Sequence, residues 1–218
     1  MPPEEYYPEA FTDVSRRVVE RFTADFPDAI LIGGWASWAR IGVLKSHDVD
    51  VIVGPELLPR IEETYGPLTT STHIAGKKWG GEHDGIHLDI YVPYQSRLGR
   101  RLRLRVEALP GYAERVDGWR LLSLPAHLAT KFAALLDRPE SESGEKDRHE
   151  IWGLLEQEIA PEDVAAVLRA SEAASPEVVA LVRDVFDLLD DLELTRQERR
   201  TLRGLRSAFV DAAERLIA

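Results

Sequence analysis

The spacing of the apolar residues changes near residue 118, and this change limits the chain to a mixed fold. Before that point, short apolar runs such as 29–32 and 49–53 are bounded by glycine and proline, which is typical of buried strands. After it, apolar residues recur at helical intervals, with proline at the early positions of two segments. We therefore expect an α/β core, a mixed sheet flanked by helices, over residues 1–115, followed by an all-helical C-terminal domain over residues 116–218.

The individual elements are predicted from these apolar patterns and from the glycines and prolines that bound them. In the first half we expect helices over 10–24, 35–41 and 56–65, and strands over 29–32, 49–53, 86–92 and 98–106. In the second half we expect helices over 124–136, 146–155, 161–170, 176–191 and 195–217.

The composition of the 218-residue chain is that of an ordinary globular protein, with 44% hydrophobic and 30% charged residues. It contains no cysteine, which excludes a disulfide scaffold, a thiolate metal site and a cysteine nucleophile. Because the chain also lacks a signal peptide and a membrane-spanning apolar run, we expect a cytoplasmic protein. The net charge of −11 argues against a surface that binds phosphate over most of its area.

Two acidic residues lie at the head of the apolar strand predicted over 49–53. Asp48 and Asp50 are two residues apart, so their side chains share one face of a strand. Two ionised carboxylates in such a place repel each other and lose solvation, a cost that a bound divalent cation removes. Because magnesium takes carboxylate oxygens together with substrate phosphates, the pair predicts a Mg²⁺ (or Mn²⁺) site. The alternative is that Asp48 caps a turn and Asp50 lies on an exposed face.

Glycines stand at the junction between the first predicted strand and the helix that follows. Gly33 and Gly34 allow a phosphate to approach the backbone, and the helix N-terminus offers free N–H groups and the positive end of its dipole. Ser37, in the first turn, has a hydroxyl that is able to donate a further hydrogen bond. An ordinary strand-to-helix turn with a surface serine is the alternative interpretation.

A third acidic residue lies inside the strand predicted over 86–92. Asp89 shares one face with His87 and Tyr91, and the apolar residues of this strand share the other. A half-exposed strand with its polar side chains outward explains this alternation. The functional alternative is a carboxylate that faces Asp48 and Asp50, because three acids are able to hold two metal ions in a phosphoryl transfer.

These residues together resemble the DNA polymerase β-like nucleotidyltransferase superfamily, whose signature is Gly-Gly, then Asp-x-Asp on the next strand, then Asp on a later one. The second half extends the resemblance. Lys131 and Arg138, followed by Lys146-Asp147, are similar to the Lys…Arg…Lys-Asp helix pair of the AbiEii/MenT-like branch, which contains toxins of toxin–antitoxin systems. The resemblance covers residues 28–155, and Lys77-Lys78 is the best candidate for the branch's middle basic motif.

The resemblance implies magnesium-dependent transfer of a nucleoside monophosphate from a nucleoside triphosphate to a hydroxyl. In that family, the acids that match Asp48 and Asp50 bind magnesium, and the acid that matches Asp89 is a base or a further metal ligand. The lysine that matches Lys131 contacts the triphosphate, where a point positive charge suits the leaving pyrophosphate, and the acid that matches Asp147 supports the site. Without the resemblance, Lys131 is typical of a surface lysine and Asp147 of an acid at a helix N-terminus.

Two clusters of arginines stand out in this acidic chain. The first alternates with leucine, so that its last three members share one face of the predicted strand; it contains Arg97, Arg100, Arg101, Arg103 and Arg105. It predicts either an electrostatic track for an RNA backbone or a solvated face paired with acids. The second has helical spacing, for which we favour a solvated face; it contains Arg196, Arg199, Arg200, Arg203 and Arg206.

The sequence leaves three candidates for the acceptor of the predicted transfer. The toxin resemblance implies RNA, for example the end of a tRNA, and a cognate antitoxin protein as partner. A small cationic molecule of the aminoglycoside type suits an acid-rich surface, and a protein side chain is a third candidate. The alternative from another class is a non-catalytic, antitoxin-like binding protein, against which the three acids and Lys131 argue.

Overall fold

A computed structural model describes residues 5–73, 76–170 and 175–215. Its contacts divide the chain into two compact units. The first, called the sheet unit, contains the described residues up to 97 together with 105–123, and the second, called the helical unit, contains 98–104 and the described residues from 124 onward. No helix of the described residues is both long and apolar enough to span a membrane.

The sheet unit alternates helices and strands, as the apolar patterns predict. Its helices are α1 (Glu9–Asp25), α2 (Gly33–Ile41) and α3 (Leu58–Tyr65), with short 3₁₀ helices at Pro55–Leu57 and Val106–Tyr112. Its strands are β1 (Ile30–Ile32), β2 (Val49–Ile52), β3 (Thr69–His73), β4 (Gly76–His83), β5 (Ile86–Tyr91), β8 (Ala113–Val116) and β9 (Trp119–Leu122). Two further short strands, β6 (Arg97–Leu98) and β7 (Leu104–Arg105), pair with each other where the chain passes between the units.

Seven strands form one mixed sheet in the order β3-β4-β5-β2-β1-β9-β8. The pairs β2–β5 and β1–β9 are parallel and the others are antiparallel, which confirms the predicted mixed sheet. Because β8 and β9 pair with each other and β9 pairs with β1, residues up to 123 belong to the sheet unit. The boundary predicted after residue 115 therefore lies inside a strand pair.

One face of the sheet carries the apolar core of this unit. Val49 and Val51 of β2 and Ile90 of β5 are fully buried there, with Phe22 of α1 and Ile61 of α3 in the same cluster. Since side chains alternate along a strand, burying these positions directs the intervening residues of β2 and β5 to the opposite face. That face carries the acidic residues singled out from the sequence.

The sequence missed four strands and misplaced one. β3 and β4 contain few apolar residues, and β8 and β9 are too short for a clear alternation, so none of the four was predicted. The strand predicted over 98–106 is wrong. Gly99 has a φ of +77° and begins a turn, which leaves only the two-residue strands β6 and β7 at the ends of that segment.

The helical unit contains the predicted helices with shifted ends: α4 (Leu124–Asp137), α5 (Glu142–Leu155), α6 (Pro161–Leu168), α7 (Ser175–Leu189) and α8 (Arg196–Glu214). Its core includes three aromatic rings, those of Phe132, Phe186 and Phe209, whose centroids lie 5.5–6.2 Å apart. α5 begins four residues earlier than predicted because the side chain of Ser141 caps it, accepting a hydrogen bond from the Gly144 amide at 3.0 Å.

Candidate active site

The acidic residues of the central strands meet across the sheet. β2 and β5 are parallel neighbours, and their register pairs Asp50 directly with Asp89. Neighbouring strands lie about 4.8 Å apart, so the two carboxylates start from adjacent positions on the same face. Sequence analysis expected both residues on one polar face, and only the strand pairing shows that they stand side by side.

The Asp50 carboxylate lies against the backbone at the start of α2. A Cβ placed on Gly33 would come within 2.1 Å of Asp50 Oδ2, and Gly33 has a φ of +66°, so this contact requires glycine. The N-terminus of a helix stabilises negative charge that lies close to it. Gly33 thus lets the Asp50 carboxylate approach the main chain, and phosphate binding at Gly33 and Gly34 stays a prediction.

Gly34 and Ser37 both lie inside α2 and are buried. The Ser37 hydroxyl donates to the carbonyl oxygen of Gly33, one turn earlier in the same helix, at 3.4 Å. Its phosphate contact therefore stays a prediction, and a surface serine is excluded because the residue is fully buried.

Asp48 immediately precedes β2. Its Oδ1 accepts a hydrogen bond of 2.6 Å from the Ser46 hydroxyl, so this carboxylate orders the approach to the strand. This contact is consistent with the alternative interpretation of Asp48 as a residue that stabilises the turn before the strand.

Asp89 has a lysine partner, Lys78, which the sequence offered with Lys77 as the best candidate for the middle basic motif, without linking it to Asp89. Lys78 Nζ donates to Asp89 Oδ2 at 2.7 Å, with side-chain exposures of 23% and 27%. On β4 the residue opposite Asp89 is Gly80, and the nearest atom to a Cβ placed there is Thr69 Oγ1 at 3.7 Å. Because Gly80 has no side chain, the residue opposite Asp89 on β4 does not cover that side of the aspartate.

The donor set of these strands fits a magnesium ion only with help from a substrate. Among the described residues, no three His, Asp or Glu side chains gather closely enough to hold a metal by themselves. Magnesium is usually bound through one or two carboxylates plus substrate phosphates, and Asp48 and Asp50 supply oxygen donors of that kind. The cradle at Gly33, where the Asp50 carboxylate meets a helix N-terminus, suits a phosphate as well.

In the helical unit, Lys131 and Asp147 form a buried ion pair between α4 and α5. Lys131 Nζ lies 3.0 Å from Asp147 Oδ1, and the two side chains are 6% and 2% exposed. The other oxygen of Asp147 accepts a hydrogen bond from Arg138 Nε at 2.8 Å. Lys131 is buried and is therefore not the surface lysine considered from the sequence, and Asp147 is the sixth residue of α5 rather than an acid at its N-terminus.

A second carboxylate, missed by sequence reasoning, completes this network. Glu150 is fully buried, and its Oε2 lies against Lys131 Nζ while its Oε1 lies 3.2 Å from Lys146 Nζ. Its spacing of four residues from Lys146 on a helix was a signal that the sequence offered. The network therefore links two buried lysines, two buried carboxylates and Arg138, whose side chain is 47% exposed.

The charges of this network set the protonation of its members. Burial by itself would lower the pKa of Lys131, but the charges of Glu150 and Asp147 outweigh it and raise that pKa above the value of a free lysine. Burial would raise the pKa of Asp147, yet Lys131 and Arg138 hold it below its usual range. Lys131 and Asp147 are therefore both charged at neutral pH.

The first arginine cluster does not form the expected strand face. Only Arg105 of its last three members lies in a strand, β7, because Gly99 turns the chain before it. Arg101 Nη2 pairs with Asp184 Oδ2 at 2.5 Å, and Arg103 Nε donates to a backbone carbonyl.

The remaining members of this cluster also contact the protein itself. Arg97 Nη1 lies 3.2 Å from Glu107 Oε2, and the backbone amide of Arg100 donates to Asp137. In the second cluster, Arg206 Nη2 pairs with Asp187 at 2.5 Å, which agrees with the solvated, acid-paired face favoured from the sequence.

Comparison with known proteins gives fold-level likenesses only. No protein-family model and no curated protein matches the chain. The crystal structure of an antigenic nucleotidyltransferase-like protein from Paracoccidioides brasiliensis is 13% identical, covers 92% of this chain and 94% of its own, and has a TM-score of 0.45. That of ANT(2″)-Ia in complex with adenylyl-2″-tobramycin is 19% identical, covers 73% and 95%, and has a TM-score of 0.48.

A Helicobacter pylori protein is 15% identical, covers 95% of both chains and has a TM-score of 0.46. Structural likenesses with TM-scores of 0.48 or lower do not indicate a substrate or a reaction for this chain.

Proposed function

We propose that the chain is a magnesium-dependent nucleotidyltransferase. The observation that carries the proposal is the pairing of Asp50 with Asp89 across β2 and β5, beside the glycine cradle at Gly33. Two carboxylates on neighbouring strands, next to a helix N-terminus, allow a metal-bound phosphate and a general base to take part in the same reaction. Asp48 and Asp50 would hold the magnesium ion.

In the proposed reaction, an acceptor hydroxyl attacks the α-phosphorus of a nucleoside triphosphate. A bond forms between the acceptor oxygen and that phosphorus, the bond to the pyrophosphate oxygen breaks, and Asp89 takes the hydroxyl proton. Lys78 fixes the orientation of the Asp89 carboxylate through Oδ2. Magnesium, when bound, stabilises the negative charge that develops on the transferred group. From the family resemblance, Lys131 is proposed to contact the triphosphate, with Asp147, its ion-pair partner, as its support.

RNA is the proposed acceptor, with the chain acting as the toxin of a cytoplasmic toxin–antitoxin pair and a cognate antitoxin protein as its partner. A small cationic acceptor of the aminoglycoside type is the second candidate. It gains support from the pairing of Arg97 and Arg101 with Glu107 and Asp184, because arginines neutralised in this way attract phosphates less strongly.

The test is a labelling experiment with each radioactive nucleoside triphosphate, magnesium, and either total cellular RNA or an aminoglycoside. We expect the wild-type chain to label one of the two acceptors and the Asp48→Asn/Asp50→Asn double variant to label neither. The circular dichroism spectrum of the double variant should match that of wild type. The control is Asp84→Asn, an exposed aspartate in the turn between β4 and β5, which should label like wild type. Equal labelling by the double variant would refute the assignment.

A further inference from the structure

Within the sheet unit, the β4 side of Asp89 is formed by a glycine that the fold itself does not require. Gly80 stands directly opposite Asp89, so a side chain at position 80 would project from the same face of the sheet. Its backbone has no positive φ that calls for glycine. Apart from its chain neighbours, a Cβ placed there would meet only Thr69 Oγ1 within 4 Å among the described atoms, at an ordinary distance of 3.7 Å.

Other glycines of the sheet unit have a reason in the packing. A Cβ placed on Gly81 would lie 3.0 Å from Leu68 Cδ2, which is closer than ordinary van der Waals contact. One placed on Gly33 would collide with the Asp50 carboxylate. Gly80 relieves no such contact, although glycine inside a strand weakens it and often marks a place where a ligand approaches the backbone. The glycine at position 80 therefore points to a ligand beside Asp89.

The order of the strands indicates which part of the reaction takes place above Gly80. Asp50 of β2, Asp89 of β5 and Gly80 of β4 follow one another at the same level of the sheet, and neighbouring strands lie about 4.8 Å apart. The metal-bound phosphate is proposed beside Asp50, next to the backbone of Gly33. The opposite side of Asp89, towards Gly80, is then the side from which the acceptor hydroxyl approaches the base.

We infer that Gly80 forms the floor of the acceptor subsite and that the acceptor is a sugar ring that rests on the β4 main chain. This inference rests on the proposed nucleotidyltransferase function and names the group that accepts the nucleotide. Side chains directly opposite each other start about 5 Å apart, a gap that a ring hydroxyl above Gly80 bridges to reach Asp89. Its proton passes to Asp89 while its oxygen bonds to the α-phosphorus and pyrophosphate leaves.

The size of residue 80 then determines which acceptors reach the base. A methyl group there would lift a ring off the strand by about 1 Å, and a misplacement of that size can slow a reaction by about 100-fold. A serine or threonine side chain of a protein acceptor is narrow and gains little from the missing Cβ. The terminal ribose of an RNA and a ring of an aminoglycoside share the required chemistry, a sugar ring that carries a free hydroxyl.

The experiment measures transfer by the full-length chain from each labelled nucleoside triphosphate, with magnesium, to total cellular RNA or to kanamycin. The labelled arm identifies the source of the sugar ring. For that acceptor, Gly80→Ala should lower kcat/KM by about tenfold and Gly80→Val by about 100-fold. Both variants should bind nucleoside triphosphate like wild type in isothermal titration calorimetry. Their thermal midpoints should equal or exceed that of wild type, because glycine weakens a strand.

The matched control is Gly111→Ala. Gly111 also lies in the sheet unit, has no positive φ, and a Cβ placed on it would meet nothing within 4 Å among the described atoms. This variant should keep the kcat/KM of wild type, because position 111 is not beside Asp89. Gly80→Ala alone decides the test if Gly80→Val does not fold.

A double variant with Lys78→Met excludes an indirect effect. Lys78 lies two residues before Gly80 on β4 and holds Asp89, so a valine that disturbed this contact would also slow transfer. If the valine obstructs the acceptor instead, Gly80→Val lowers kcat/KM by the same factor in the Lys78→Met chain as in wild type. No further loss in that chain would show that residue 80 acts through Lys78, and would overturn the inference.

Three other results would overturn the inference while leaving the proposed function in place. They are wild-type kcat/KM in the Gly80 variants, weakened nucleotide binding by these variants, and label carried by protein in place of a sugar. Failure of the wild-type chain to label any acceptor would overturn both.

Discussion

The two units each contain a lysine–aspartate pair, and the pairs differ in how they meet the solvent. In the sheet unit, Lys78 and Asp89 join at 2.7 Å and keep about a quarter of their side-chain surface exposed. In the helical unit, Lys131 and Asp147 join at 3.0 Å and are almost completely buried. The same two residue types thus form a partly exposed pair in the sheet unit and a buried pair in the helical unit.

This difference assigns different roles to the pairs. A partly exposed pair contributes little to stability, so Lys78 is suited to orienting the Asp89 carboxylate without being needed for the fold. A buried pair that loses one partner leaves an uncompensated charge, so Lys131 and Asp147 are suited to fixing a neighbour such as Arg138. A sequence motif that contains a lysine and an aspartate does not distinguish these two situations.

The largest effect is expected from breaking the buried pair. Lys131→Met should lower the free energy of unfolding by about 3–5 kcal/mol, because it removes the buried cation that contacts both Asp147 and Glu150. Urea denaturation followed by circular dichroism measures this loss. A loss below about 1 kcal/mol would place Lys131 with the exposed pairs and remove the contrast between the units.

A smaller effect is expected from acid. Because Lys131 and Arg138 hold the pKa of Asp147 below its usual 3.8, the unfolded chain takes up this proton first as the pH falls. The stability that Asp147 contributes is therefore complete above that pH and is lost as the pH drops through the lower, folded pKa. Thermal midpoints between about pH 6 and about pH 2.5 should fall less steeply in Asp147→Asn than in wild type. Parallel profiles would contradict this role.

The smallest effect on stability is expected at the sheet. Lys78→Met should change the free energy of unfolding by no more than about 1 kcal/mol, because Asp89 remains partly in water after the change. If the proposed function is correct, the same variant should slow transfer, since the Asp89 carboxylate loses the contact that orients it. A stability loss as large as that of Lys131→Met would show that the two pairs are equivalent.

The sequence by itself determined where the α-helices lie, three strands of the sheet and the aspartates of the candidate site. Apolar periodicity predicted every helix of the helical unit and the strands β1, β2 and β5, because burial of one face imposes a period on each element. Alternation along each strand also predicted that Asp50 shares a face with Asp48, and Asp89 with His87 and Tyr91. These are local properties, which a chain carries in its residue order.

Only the tertiary structure decided which of these residues meet. The register of β2 with β5 pairs Asp50 with Asp89, and β4, a strand with few apolar residues, brings Lys78 to that pair. The packing of α4 on α5 buries Lys131 between the carboxylates of Asp147 and Glu150. No pattern in the sequence connects Glu150 with Lys131. Such contacts join residues that are distant along the chain, and their energies depend on burial and geometry that no local pattern contains.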